Sequence, residues 1–216
     1  MEKKNKKMLV LGASLLAVFV LWTVLVRFAD LRAIGPEGSS VGFAALNGFV
    51  HKLTGVNWLL YTVTDWLGLV PIAVALGFAI LGLVQLIKRK SLWKVDHSIL
   101  ALGVFYIVVM AAYVFFEAVV INYRPTLIGG YLEASYPSST TVLVMCVMPT
   151  AAMQLNARIK NSVVRRCVIL AITAFTAFMV MGRLLSGVHW VTDIIGGALL
   201  STGLVMTYFS ICKNLK

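Results

Sequence analysis

The chain has 216 residues, 60% of them hydrophobic and only 12% charged, with a formal net charge of +11 and a mean hydropathy of +0.93. A soluble domain carries about 25% charged residues, so this composition excludes an ordinary soluble globule. It also excludes a nucleic-acid binder, because Lys and Arg cluster at the ends of apolar blocks and not on one aromatic-studded face.

Six apolar blocks approach the roughly 20 residues that cross a bilayer. The first is expected from about Met8 to Phe28, behind Lys3, Lys4, Lys6 and Lys7. It is longer than a signal-peptide core and no small-x-small cleavage site follows it, so it reads as an uncleaved span. Residues 29 to 65 mix Gly, Ser and charge with amphipathic pieces such as Val41 to Leu53, which predicts a helix lying at the lipid–water boundary on the outer face. Trp58, Tyr61 and Trp66 suit the same boundary or plain packing, and His51 reads as an interfacial histidine. Asp65 reads as a solvated cap, or as a partner of Lys52 or Arg124.

The second span is expected from about Trp66 to Ile87, the third from His97 to Ile121 and the fourth from Thr141 to Leu155. The fifth runs from about Val168 to Leu185 and the sixth from Trp190 to Ile211. In the sixth, Gly196-Gly197-Ala198 allows close helix packing. Cys146, Cys167 and Cys212 have no metal-type spacing and read as free thiols. The fold class is therefore all-α: one integral membrane domain over residues 1–216, a six-span transmembrane bundle with an interfacial helix between its first two spans.

The basic residues orient it. Lys3, Lys4, Lys6, Lys7, Lys88, Arg89, Lys90, Lys94, Arg158, Lys160, Arg165, Arg166, Lys213 and Lys216 share one side if six spans alternate. They are fourteen of the nineteen basic residues, and Arg27, Arg32, Lys52, Arg124 and Arg183 are left on the other side. The positive-inside rule then puts both termini in the cytoplasm of a multi-pass plasma-membrane protein, and the loops around Arg124, Ser138 and His189 together outside.

Those loops carry the chemistry. Arg183, His189 and Asp193 stand in a stretch otherwise almost empty of polar groups, and ionisable groups that persist near lipid are functional candidates. His189 and Asp193 are four apart, on one face of a helix. A histidine oriented by a carboxylate, beside a guanidinium that forks onto phosphate, is the minimum set for attack on a phosphoryl group.

Arg124-Pro125, then Ser135-Tyr136-Pro137-Ser138, then Arg183-x5-His189-x3-Asp193 follow in that order on the outer ends of successive spans. The region from Glu117 to Ser201 thus resembles the type 2 phosphatidic acid phosphatase superfamily, whose site membrane lipid phosphatases share with vanadium haloperoxidases. The resemblance implies that His189 attacks phosphorus and forms a phosphohistidine, with Asp193 holding its tautomer. It implies that Arg124 and Arg183 clamp the phosphoryl oxygens. Ser138 and the backbone N–H groups of the Ser138–Ser139 turn, at a helix N-terminus, would add donors beside Thr140. No metal or other cofactor is required, because two arginines and a helix terminus carry the charge.

Three positions depart from the family pattern. Its Lys before Arg-Pro is Glu117 here, its Pro-Ser-Gly-His is Pro137-Ser138-Ser139-Thr140, and the Ser opening its third motif is Gly182. The missing His is the family's general acid, a group that contributes about 10²–10⁴-fold. The Lys-to-Glu exchange turns attraction into repulsion, on the order of a few kcal/mol where solvation is poor. Several readings accommodate this. A lipid pyrophosphate, such as undecaprenyl diphosphate, has a leaving group that needs little protonation, and phosphatidate-type monoesters come next. A singly charged phosphodiester would make the chain a headgroup transferase. Glu117 or Glu133 could act as a relocated acid, or Glu117 could be a structural partner of Arg124. Hydrolysis could also be lost, leaving a lipid-phosphate-binding membrane protein. The expected partners are a lipid phosphate or pyrophosphate and the bilayer, with homo-oligomerisation compatible.

Overall fold

A computed structural model describes residues 2–214, so Lys216 lies outside the described residues, and the side chains of Lys3 and Lys4 are likewise not described. The elements are α1 (Glu2–Phe28), α2 (Ala44–Thr54), α3 (Trp58–Leu67), α4 (Leu69–Arg89), α5 (His97–Ala118), α6 (Ser139–Arg158), α7 (Ser162–Leu185) and α8 (Val191–Asn214). Among the described residues, six helical stretches are long and apolar enough to cross a membrane: Asn5–Phe28, Trp58–Arg89, His97–Ala118, Ser139–Arg158, Ser162–Leu185 and Val191–Lys213. The chain is a multi-pass membrane protein of the expected helical class. The second stretch begins well before the expected Trp66, because α3 runs into α4 through Gly68, whose N–H is still held by the carbonyls of Thr64 and Asp65.

Helices α6 and α8 form the centre. Half of each span window is buried there, against 6–22% in the other four. Helix α1 lies along α8, and its close approach needs glycine. A Cβ on Gly12 would sit 2.7 Å from Thr207 Oγ1, and one on Gly203 2.8 Å from Leu16 Cδ2. This is the small-residue packing that membrane helices use where hydrophobic burial gives no drive. One apolar cluster joins Phe19 and Val26 of α1, Leu102, Phe105 and Val109 of α5, Tyr136, Val142 and Cys146, and Leu200, Val205 and Tyr208 of α8. The outside is apolar instead of polar, with Val20, Leu21, Leu76, Ile80, Val104, Ile107 and Leu170 exposed, as lipid contact requires.

Two polar ends cap this bundle. At one end Asp96 pairs with Arg89 at 2.9 Å and Arg158 at 3.5 Å, and accepts from Gln85 at 2.9 Å. Ser210 Oγ donates to Asn5 O at 2.9 Å, so the start of α1 and the last turns of α8 belong to this face. At the other end the segment after α1 folds back, with Phe43 N donating to Ala29 O and Ala45 N to Asp30 Oδ2, both at 2.7 Å, which starts α2. Helix α2 turns Asn47 inward and leaves Leu46, Phe49 and Leu53 exposed.

Candidate active site

The site lies at the second polar end, where the α5–α6 loop meets the α7–α8 turn. The α5–α6 loop pairs with itself. Arg124 N donates to Glu133 O at 3.0 Å and Ser135 N to Asn122 O at 2.9 Å, so Arg124 and Ser135 come from neighbouring rungs. Tyr136 fixes the loop to the bundle. Its ring stacks on Phe19, its hydroxyl lies 2.7 Å from Thr23 Oγ1, and a Cβ on Gly196 would come within 2.5 Å of it.

The α7–α8 turn is equally constrained. Helix α7 ends as Ser186 N donates to Gly182 O at 2.8 Å, and Gly187 follows in the left-handed region at φ +67°. No other residue fits there, because a Cβ on Gly187 would lie 1.7 Å from Gly55 O. Asn57 N donates to Ser186 O at 2.9 Å, Trp190 Nε1 to Tyr123 O at 2.7 Å, and Asn47 Nδ2 to Thr192 Oγ1 at 3.0 Å. Asp193, in the first turn of α8, takes the Trp190 N–H on Oδ2 at 2.9 Å, the reciprocal half of a capping box. The imidazole is thereby held between fixed points.

His189 is buried, and both of its ring nitrogens are engaged. Nε2 lies 3.2 Å from Arg124 Nη1 and 3.2 Å from Arg183 Nη2. A guanidinium only donates, so Nε2 presents its lone pair. The ring proton of the neutral form is therefore on Nδ1, which lies 3.1 Å from Ser135 Oγ. The Ser135 hydroxyl in turn donates to Asp193 Oδ2 in a short hydrogen bond. His189 Nδ1 itself is 3.7 Å from Asp193 Oδ2, beyond hydrogen-bond range. His189 precedes α8 and does not share a helix face with Asp193 as the four-residue spacing suggested, and a serine from another loop stands between the two. Burial first, then the charges of Arg124 and Arg183, push the His189 imidazole well below the usual histidine range. The ring is thereby favoured in its neutral form.

Each arginine also meets a carboxylate. Arg124 Nε lies 3.1 Å from Glu133 Oε2. Arg183, only 1% exposed, has Nη1 3.6 Å from Asp65 Oδ1 and its guanidinium carbon 5.1 Å from the centre of the Tyr61 ring. Among the described residues, neither Nε nor Nη1 of Arg183 has a hydrogen-bond partner. A buried guanidinium with open donors is a ready receptor for phosphoryl oxygens.

Other expectations change. Arg124 pairs with Glu133, while Glu117 is exposed near the end of α5. Asp65 meets Arg183, not Lys52 or Arg124. The Ser138 N–H is taken by Asp193 O at 3.1 Å, which ties the start of α6 to α8, and its hydroxyl receives Thr141 Oγ1 at 3.1 Å within the first turn of α6. Ser139 and Thr140 open α6, whose first-turn N–H groups have no intrahelical acceptors. Ser135, Tyr61 and Asp65 were not legible as site residues. Ser135 carried one signal, its place two residues before Pro137 in the second motif.

The family model of the PAP2 superfamily matches residues 97–216, more than half of the chain. The chain belongs to the PAP2 superfamily. The fold agrees over nearly the whole length. The crystal structure described as the first transmembrane PAP2-type phosphatidylglycerolphosphate phosphatase, from Bacillus subtilis, superposes with a TM-score of 0.62 at 20% sequence identity. The match covers 94% of this chain and 96% of that one. No curated protein matches the sequence. The PAP2 region begins at α5 and so contains Arg124, Ser135, Arg183, His189 and Asp193, whereas Tyr61 and Asp65 come from α3, outside it.

Proposed function

We propose that this PAP2 protein is a lipid phosphatase that cleaves a lipid pyrophosphate or phosphate through a phosphohistidine on His189. One observation carries the reading: the His189 lone pair faces two buried guanidinium groups, while the opposite nitrogen is tied through Ser135 to Asp193. Phosphoryl oxygens would take over the arginine donors as substrate enters. Nε2 then forms the P–N bond while the P–O bond to the leaving group breaks, its oxygen keeping the electron pair. Water attacks the phosphohistidine, Nε2 recovers its pair and inorganic phosphate departs.

The residues at the start of α6 favour a good leaving group. Ser139 and Thr140 are alcohols, too weak as acids to protonate an alkoxide near neutral pH. Attack on the terminal phosphorus of a lipid pyrophosphate expels a lipid monophosphate, which needs no proton. An isoprenoid carrier such as undecaprenyl diphosphate meets that requirement best. Monoesters such as phosphatidate or phosphatidylglycerolphosphate rank next, with Glu133 beside Arg124 as the candidate acid. The basic segments around residues 88–94 and 158–166 lie on the face opposite the site, which supports an extracytoplasmic site in a plasma membrane. Exposed Leu46, Phe49 and Leu53 support an interfacial position for α2.

Purified protein in detergent should release phosphate from undecaprenyl diphosphate, and His189→Ala should abolish release. Labelled substrate should leave an acid-labile, alkali-stable label on the protein. No label from pyrophosphate, phosphatidate or phosphatidylglycerolphosphate would reduce the chain to a lipid-phosphate binder.

A headgroup transferase is the second reading. Asp65 and Glu133 already face the two arginines and offset part of their charge, which suits a singly charged diester better than a multiply charged phosphate. Transfer of a labelled headgroup between lipids without free phosphate would establish it.

A further inference from the structure

We infer that Ser135 is a positioning residue that links Asp193 to His189 and, with the two arginines opposite, holds the proton of the nucleophile on Nδ1. The inference concerns the state of the ring in the resting protein, and its catalytic consequence rests on the phosphohistidine reading above. The direct path is too long, with 3.7 Å between His189 Nδ1 and Asp193 Oδ2. Ser135 Oγ bridges it, 3.1 Å from Nδ1 and within a short hydrogen bond of Oδ2. A hydroxyl suits the place, because it donates one hydrogen and accepts another at the same atom.

The direction of every hydrogen bond in the chain is fixed from its two ends. Two guanidinium groups donate at Nε2, so that nitrogen holds no proton. The carboxylate only accepts, so Ser135 directs its hydrogen at Asp193 and receives the Nδ1–H. The other tautomer would set an Nε2–H against two guanidinium donors and leave Nδ1 and the serine oxygen without a shared hydrogen. Ser135 is buried, and its N–H is anchored to Asn122 O at 2.9 Å, so the hydroxyl is presented from a fixed backbone. When Nε2 bonds to phosphorus, the ring becomes cationic with its proton still on Nδ1. The serine then passes the stabilisation of the Asp193 charge to that cation. A serine protease shows what the wrong tautomer costs, about 10⁴-fold in kcat.

Two measurements test this, one of which needs no turnover. The chain has three histidines, His51, His97 and His189, so ¹⁵N-histidine NMR in detergent micelles resolves each ring, with His189→Gln assigning the signal. The wild-type His189 ring should be neutral with its proton on Nδ1. Ser135→Ala should shift the His189 Nδ1–H resonance upfield as its hydroxyl acceptor is lost, and Ser135→Thr, which keeps the hydroxyl, should leave it in place. An unchanged His189 spectrum in Ser135→Ala would overturn the proposal, whatever the substrate proves to be. In the second measurement, Ser135→Ala should slow phosphohistidine formation by about 10²–10⁴-fold at unchanged thermal stability, with Ser135→Thr recovering most of the rate. Adding Asp193→Asn to Ser135→Ala should cost little more, because one chain has already been cut. Full multiplicative losses in the double variant would count against a linked chain. Wild-type protein that never acquires label, but shows the expected tautomer, would sink the phosphatase reading and leave the role of Ser135 standing.

Discussion

Arg183 Nη1 lies 3.6 Å from Asp65 Oδ1, so the guanidinium of the third motif is partly answered by a carboxylate from α3. Asp65 is 57% exposed while Arg183 is almost wholly buried. On the proposed phosphatase reading, an entering phosphate would compete with Asp65 for that guanidinium edge. Asp65→Asn should therefore tighten binding of inorganic phosphate or vanadate. Exposed pairs contribute about 0–1 kcal/mol, so the gain should not exceed roughly fivefold. Inhibition constants measure it, and weaker binding in Asp65→Asn would refute the competition.

Arg183→Lys should be far more damaging than its charge conservation suggests. The guanidinium donates to His189, faces Asp65 and stacks over Tyr61 at once, and an ammonium group cannot reproduce that planar fork. Loss of one such preorganised donor costs about 10²–10³-fold. Rates of phosphohistidine formation would show it, and a variant within a few-fold of wild type would remove Arg183 from the reaction.

The pH dependence follows from the depressed His189 imidazole. Its folded-state value lies well below 6.5, so the nucleophile should remain neutral as pH falls through the range where a free histidine protonates. The labelling rate should stay level there and drop only at more acid pH. Arg124→Gln removes a positive neighbour and should move that acid limb upward. The stability effect has a definite sign: the unfolded chain takes up the proton first, so stability falls as pH drops below about 6.5 toward the folded value. Thermal unfolding in detergent should show this loss, and His189→Gln should reduce it.

Gly187→Ala should unfold the site or the protein. It combines a φ of +67° with a Cβ placed 1.7 Å from Gly55 O, and backbone cannot yield as a flexible side chain can. Strain and overpacking together should cost on the order of 2–4 kcal/mol. A lowered Tm would record it, and an unchanged Tm would show that the turn after α7 has room.

The orientation is open to a simple test. In a cysteine-free background, Tyr131→Cys should react with a membrane-impermeant thiol reagent on intact cells, whereas Lys160→Cys should react only after lysis. The reverse pattern would put the site on the cytoplasmic face.

Hydropathy and charge made the six spans legible, because a bilayer demands long apolar helices and the ends of those helices carry the basic residues. Boundaries were less legible where helix and interface shade together. The α3–α4 junction is the example: Gly68 lets one helix continue into another, and Trp58, Tyr61 and Trp66 look equally suited to a belt or to a span. His189, Arg183, Asp193 and Arg124 were legible because ionisable groups in apolar sequence are costly and therefore conspicuous.

A serine among other serines and threonines is cheap anywhere, so nothing in the residue pattern distinguished Ser135 from Ser138. Likewise Asp65 sits far from Arg183 in the chain, and no spacing rule connects them. The sequence by itself determined the membrane class, the span count and four ionisable residues of the candidate site, Arg124, Arg183, His189 and Asp193, since these follow from local composition. The tertiary structure decided which hydroxyl lies between His189 and Asp193 and which carboxylate faces each arginine. Such pairings depend on distances of a few ångströms between segments that only packing brings together.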